Sequence, residues 1–269
     1  APIKAAPIFP EQSFEWVIDE MKNHPFKNRL HDQYLISKKT ETEMLKIQDY
    51  WKGKTVENVI VSRLSDEEKK GTHLGKEVFL LNLYLFGGVG HTQANYEKLF
   101  SKGFNGLREE ATKKLLSLDA GTSENERKRE FYQAEIIAID GSIDYIKRYA
   151  NLAGEMAAKE KDTEWQKELY EISKTCSSIA GDPPKTFREA IQLWFIATTI
   201  IMIETNGHSI STGRFDQYMY PFYRRDVDFG NATRESIQEL IEISFIKMLW
   251  CTKLRDRLTV IANSGRGMG

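Results

Sequence analysis

The chain has 269 residues, 41% of them hydrophobic, enough for one large core or two modest ones. Its 38 basic and 39 acidic residues nearly cancel, and neither sign gathers into a long block, so the balance offers nothing to nucleic acid or to an anionic membrane surface. A small neutral partner fits better, and the two cysteines, Cys176 and Cys251, stand outside any Cys-x-x-Cys or Cys/His ligand spacing, as in a reduced cytosolic protein with no metal site.

The opening, APIKAAPIFP, starts on Ala and reads as extended, proline-punctuated chain from within something longer. Residues 11–23, with Phe14, Trp16, Val17 and Met21, and residues 41–52, with Met44, Leu45, Ile47 and Trp51, have the pattern of short peripheral amphipathic helices. Val78 to Phe86 is a continuous apolar stretch. It runs into Gly87-Gly88-Val89-Gly90-His91, so a buried element delivers its end to a loop with unusual backbone freedom. Helical periodicity returns from Tyr96 to Leu118 and from Glu124 to about Lys161. In the second stretch Phe131, Ala134, Ala138, Gly141, Tyr145, Tyr149, Leu152 and Met156 recur at steps of three and four, a stripe expected to face a core.

Thr163 with Gln166, and Thr186 with Glu189, have the spacing of capping boxes, and Pro183-Pro184 separates the two helices they start. The helix from Thr186 to about Glu204 is apolar on nearly every face and must be enclosed. Its apolar run from Ala190 to Ile203 falls short of the roughly 20 residues a bilayer demands. A last helix is expected from about Thr233 to Leu254. The closing stretch from Asn263 to Gly269 has no capping element, so the chain is expected to be truncated at both ends. No signal peptide pattern gives the sequon Asn231-Ala232-Thr233 a secretory meaning. The expected fold class is mainly α.

Three places concentrate unusual residues. The loop from Gly87 to Asn95 lacks both the G-x-G-x-x-G register and a Gly-Lys-Ser/Thr ending, so it is a poor phosphate cradle. Its His91 is suited to act as a general acid or hydrogen-bond donor, the alternative being a loop histidine without a task. Asn206-Gly207-His208-Ser209-Ile210-Ser211 follows the buried helix, where an imidazole and a hydroxyl side by side can hold the oxygens of a small polyol in a cavity. The same residues can equally be a helix C-cap followed by a new turn. In the third block, Arg214 to Tyr223, Arg214 and Asp216 are expected to pair within an aromatic shell of Tyr218, Tyr220, Phe222 and Tyr223, as architecture. His24, His31 and His73 sit in charged surroundings and read as solvated.

The string Glu204-Thr-Asn-Gly-His-Ser-Ile-Ser-Thr-Gly-Arg-Phe-Asp-Gln-Tyr-Met-Tyr-Pro-Phe-Tyr223 resembles a signature of the glycyl radical enzymes of the pyruvate formate-lyase superfamily. Thr186-Phe-Arg-Glu-Ala-Ile-Gln-Leu-Trp-Phe195, Tyr149-Ala150 and Tyr50-Trp-Lys-Gly-Lys-Thr55 extend the likeness over most of the chain. Gly88-Val-Gly-His91, Gly103-Phe-Asn-Gly106 and Asn206-Gly-His-Ser209 are most similar to the B12-independent glycerol and 1,2-propanediol dehydratases.

The resemblance implies that residues 1–269 are the helical N-terminal part of a single α/β domain built on a ten-stranded barrel. The thiyl-cysteine loop and the C-terminal glycyl radical loop are absent from the sequence, so the fragment alone is expected to be inert. It implies a radical on a glycine outside this chain, installed by a radical S-adenosylmethionine activating enzyme. It further implies a homodimer, and a cytoplasmic location with a bacterial microcompartment as the alternative. His91 matches the position that assists the departing hydroxyl, and His208 and Ser209 match positions that hold the substrate hydroxyls.

Thr92-Gln93-Ala94-Asn95 departs from the more apolar and acidic run of the dehydratase pattern, which leaves Gln93 free to bind another polar group. A decarboxylase or sulfonate lyase would be expected to place a cation near its substrate's anion, and this loop has no Arg or Lys. A choline lyase would be expected to offer the ammonium a carboxylate or aromatic cage, where Asn95 is an amide. A non-catalytic helical scaffold is the reading from another class.

Overall fold

The computed structural model describes residues 14–30, 33–71, 92–119, 121–204 and 210–250, and these are overwhelmingly helical. The apolar stretch expected at Val78 to Phe86, together with His31, His73 and Cys251, lies outside them. Two two-residue strands, β1 (Thr92–Gln93) and β2 (Ile210–Ser211), pair as a two-stranded sheet. The chain divides into two units. One comprises Ala1–Thr92, Ile201–Ser211 and Ile246–Gly269, and the other Gln93–Ile200 and Thr212–Phe245. No described helix is long and apolar enough to cross a membrane.

In the first unit, α1 (Glu15–Asn23) and α2 (Lys38–Trp51) share a small core. Phe14, Val17, Ile18, Phe26 and Met44 are its buried members, with Trp16, Met21 and Trp51 packed around them. Leu45 and Ile47, expected on the inner face, are exposed instead. The same core holds a buried ion pair, Arg29 Nε to Glu20 Oε1 at 2.6 Å, with the Arg29 guanidinium over the Phe26 ring. Pairing lowers the cost of keeping two charges this far from water. α3 (Val56–Arg63) starts at a capping box in which Thr55 and Asn58 satisfy each other's free amides, and α4 (Asp66–Gly71) follows.

The second unit is built on α5 (Tyr96–Leu116), α6 (Ser123–Ala157) and α7 (Thr163–Ile179), each packed against the next. α7 corrects the expected cap. Asp162 accepts from the amides of Glu164 and Trp165, and Gln166 instead donates to the carbonyls of Ala157 and Glu160. α5 is broken at Gly103, whose φ is +62°. A β-carbon there would overlap the backbone of Gly181, Asp182 and Pro183, so the absence of a side chain is what lets the two segments cross. Asn105 completes the crossing, its amide donating to Gly181 O at 2.8 Å and its side chain to Asp182 at 3.1 Å. The Gly103-Phe-Asn-Gly106 motif is therefore a packing device.

α6 overturns one expectation. Its buried residues are Ile139, Ser142, Ile143, Ile146, Ala150, Ala153 and Ala157, and the stripe from Phe131 to Met156 lies on an open face. The helix carries two apolar stripes roughly 110° apart at 100° per residue, and the one richer in β-branched Ile and small Ala is the one that packs.

α8 (Phe187–Glu204) behaves as expected. Within the second unit Phe187, Ala190, Ile191, Leu193, Trp194, Ile196, Ala197 and Thr198 are all buried. Thr186 Oγ1 accepts from the Glu189 amide at 3.1 Å, but the other half of the expected capping box is replaced, the Glu189 carboxylate accepting from the Lys185 amide at 2.6 Å. Asp226 Oδ2 accepts from the Phe187 amide at 2.6 Å. A carboxylate is thus set at the positive end of the helix dipole. Asp226 belongs to α9 (Phe215–Asp228), which runs through Pro221, and α10 (Arg234–Trp250) closes the described chain.

Candidate functional site

His91, His208 and Ser209 lie outside the described residues, as do the glycines that precede the two histidines. What the structure describes is the chain that leaves each motif. Thr92, the covalent neighbour of His91, belongs to β1, and Ile210, the covalent neighbour of Ser209, belongs to β2. These strands are hydrogen-bonded neighbours although more than a hundred positions separate them in the sequence. Thr92, Ile210 and Ser211 also fall in the same unit.

The residues beyond each strand are anchored. After β1, Asn95 caps α5, its side-chain oxygen accepting from the Lys98 amide at 2.9 Å. Its amide is committed to starting a helix. Tyr96 is buried, its hydroxyl donating to Thr198 Oγ1 at 2.8 Å while Thr198 donates to Trp194 O, also at 2.8 Å. After β2, the Tyr218 hydroxyl donates to Thr212 O at 2.7 Å. Burial pushes both phenols upward from the ordinary tyrosine value, so both stay protonated donors. The two tyrosine rings lie 5.3 Å apart within a cluster completed by Phe100, Phe215, Phe222 and Trp194.

Gln93 is the described residue of this region that remains open to a task. It is exposed, and its side chain lies over Gly213, whose φ is +64°. A β-carbon at Gly213 would overlap the Gln93 amide, so that glycine sets where the amide can lie. Sequence reasoning picked out Gln93 as a departure but missed Gly213. The signal was available in a glycine directly following a polar pair, Ser211-Thr212.

Arg214 and Asp216 pair as expected, through two contacts of 3.1 and 2.9 Å, but the pair is about two-thirds exposed, 67% and 68%, and not enclosed by the aromatic cluster. The hydrogen bonds from Arg214 hold the Asp216 carboxyl below its usual range. Cys176 is buried, and burial raises its thiol to about 11, which suits a packing residue and not a nucleophile. His24 is exposed. No group of three or more metal-ligating side chains occurs among the described residues.

A family model described as pyruvate formate lyase-like matches residues 1–267. The chain is 43% identical over 270 aligned residues to a (2S)-3-sulfopropanediol dehydratase of Klebsiella oxytoca, covering all of this chain and 33% of that protein. It is 30% identical to an isethionate sulfite-lyase of Nitratidesulfovibrio vulgaris over 90% of its length. Among solved structures it superposes on the glycerol-bound B12-independent glycerol dehydratase of Clostridium butyricum with a TM-score of 0.83, at 36% identity, covering 94% of this chain and 31% of that one. A Roseburia inulinivorans structure described for 1,2-propanediol dehydration gives 0.85 at 35% identity, covering 95% and 32%. The chain spans about a third of the length of these relatives.

Proposed function

Because the chain belongs to the pyruvate formate lyase-like family, we propose that it is the helical N-terminal part of a glycyl radical dehydratase. The whole protein removes water from a short vicinal diol, glycerol or 1,2-propanediol, and leaves an aldehyde. The observation that carries this reading is the β1–β2 pairing, which ties together the chain emerging from His91 and the chain emerging from His208-Ser209. Two motifs remote in sequence can serve one substrate only if their loops converge.

On this reading His208 and Ser209 hold the diol's hydroxyls, and His91 donates to the hydroxyl that departs. A leaving hydroxide needs a proton or strong hydrogen bonds, and an imidazole whose proton affinity lies near working pH supplies both. Hydrogen abstraction from the diol carbon is the contribution of a glycyl radical and a thiyl cysteine outside this chain. A radical S-adenosylmethionine enzyme installs that radical, in a cytoplasmic homodimer.

A second reading is favoured by the 43% identity to a sulfopropanediol dehydratase and by Gln93, an exposed residue with an amide side chain. The diol then carries a sulfonate, met by neutral amide donors in place of a cation. Anaerobic incubation of the activated full-length protein with glycerol, 1,2-propanediol and 2,3-dihydroxypropanesulfonate separates these readings. Aldehyde from the first two supports the plain diol, and aldehyde from the third alone supports the sulfonated one. Sulfite release without aldehyde, or no turnover of any, rejects a dehydratase. His91→Ala is expected to lower kcat on the order of a hundredfold or more with a smaller change in KM. Unchanged turnover removes His91 from the mechanism.

A further inference from the structure

Three stretches of described chain flank the two histidine motifs, and one aromatic cluster holds all three. Tyr96 opens α5 directly after the Asn95 cap, downstream of His91. Thr198 stands on α8, the helix that runs up to the Asn206-Gly-His-Ser209 motif, and Thr212 follows β2, downstream of the same motif. The Tyr96 hydroxyl bonds Thr198 Oγ1 at 2.8 Å, the Tyr218 hydroxyl donates to Thr212 O at 2.7 Å, and the two rings lie 5.3 Å apart. Tyr96, Thr198, Thr212 and Tyr218 all belong to the second unit.

From this convergence we propose that Tyr96 and Tyr218 are positioning residues, whose paired rings and two hydroxyl bonds fix where the chains carrying His91 and His208-Ser209 start and end. The inference rests on the dehydratase reading above, which gives those three side chains their roles. Reacting groups displaced by about 1 Å can lose on the order of a hundredfold in rate, so a rigid support behind the two motifs acts directly on the kinetics.

Cohesion of the cluster does not need the hydroxyls, since Phe100, Phe215 and Phe222 pack in it with plain rings. A buried phenol must recover the desolvation of its hydroxyl, and the net gain from one such bond is small, so what the hydroxyls add is direction. Each bond is aimed. Thr198 commits its own proton to Trp194 O at 2.8 Å, so its oxygen accepts from Tyr96. Thr212 O belongs to the peptide that joins Thr212 to Gly213, whose φ is +64°. A glycine lets that peptide turn, and the Tyr218 hydroxyl holds its plane.

Steady-state kinetics of the activated full-length protein test this, with whichever of the three diols above it turns over and with rates taken per glycyl radical counted by electron paramagnetic resonance. Tyr218→Phe keeps the ring and is expected to raise KM on the order of tenfold with kcat within about threefold, because it frees the chain that leaves the diol-holding Ser209. Ile146→Ala, a larger truncation on the buried stripe of α6, is expected to leave KM within about twofold, so lost stability alone does not produce the effect. Thr198→Val keeps the shape and loses the acceptor for Tyr96, and is expected to lower kcat on the order of tenfold, because it frees the chain that leaves His91. Thr198→Ser keeps the acceptor and is expected to stay within about threefold of wild type. An unchanged KM in Tyr218→Phe, an equal rise in Ile146→Ala, or equal losses in the two Thr198 variants overturns the positioning role and leaves the dehydratase reading standing. A wild type that turns over none of the diols overturns both.

Discussion

α6 and α8 are both long helices rich in apolar residues, yet they meet their surroundings differently. α8 has Trp194, Leu193 and Ala190 at 0–1% exposure and buries most of its circumference within its unit, whereas α6 buries one stripe and leaves a second in the open. Composition already separates them, since α8 is far poorer in charged residues than α6. A helix whose apolar residues surround it has one solution, enclosure, while a helix with two stripes keeps one for the fold and one for something else.

Core truncation gives the sharpest way to break that contrast. Trp194→Ala should cost about 3–5 kcal/mol in chemical denaturation, because the ring is fully buried and packs edge-on against Phe215, so its loss leaves a large cavity. A loss under ~1 kcal/mol would mean that α8 is less enclosed than described. The two faces of α6 can then be set against each other. Ile146→Ala should cost about 2–4 kcal/mol, whereas Leu152→Ala should stay within ~0.5 kcal/mol in the monomer. Equal costs would erase the distinction between the faces.

The smallest effect belongs to the charged surface of α5. Lys102 and Lys98 hydrogen-bond Glu110 at 2.6 and 2.9 Å and hold its carboxyl down to about 2. A carboxyl lowered on folding adds stability above its unfolded value, near 4.5, and that contribution disappears as pH falls towards about 2. Glu110→Gln should therefore show a shallower loss of stability than wild type between those limits, and an identical acid transition would mean that the lysines do not hold it.

The sequence made α8 legible because everything that defines it is local or all-round: the Thr186–Glu189 cap, the unbroken apolar run and the prolines before it. α6 was legible as a helix but not in its orientation. Periodicity reveals that a stripe exists, and only tertiary contacts decide which of two stripes is covered. α3 was missed because its capping box closes with Asn58 in place of Glu or Gln, and α9 because Pro221 argues against a helix that tertiary packing tolerates. Asp226 was invisible for a different reason, since the helix start it caps is 39 residues away. At the candidate site, the local residue pattern and the family resemblance singled out His91, His208 and Ser209, and the sheet adds a physical link between the two ends of chain that leave those motifs.

The crossing at Gly103 limits how this protein can drift. Because bare backbone meets bare backbone there, with Asn105 filling the remaining space over Gly181, neither glycine can acquire a side chain by itself without colliding with what is already in place. Random mutation reaches a different solution only through several simultaneous changes, so this corner should stay frozen across descendants whose substrate loops diverge freely.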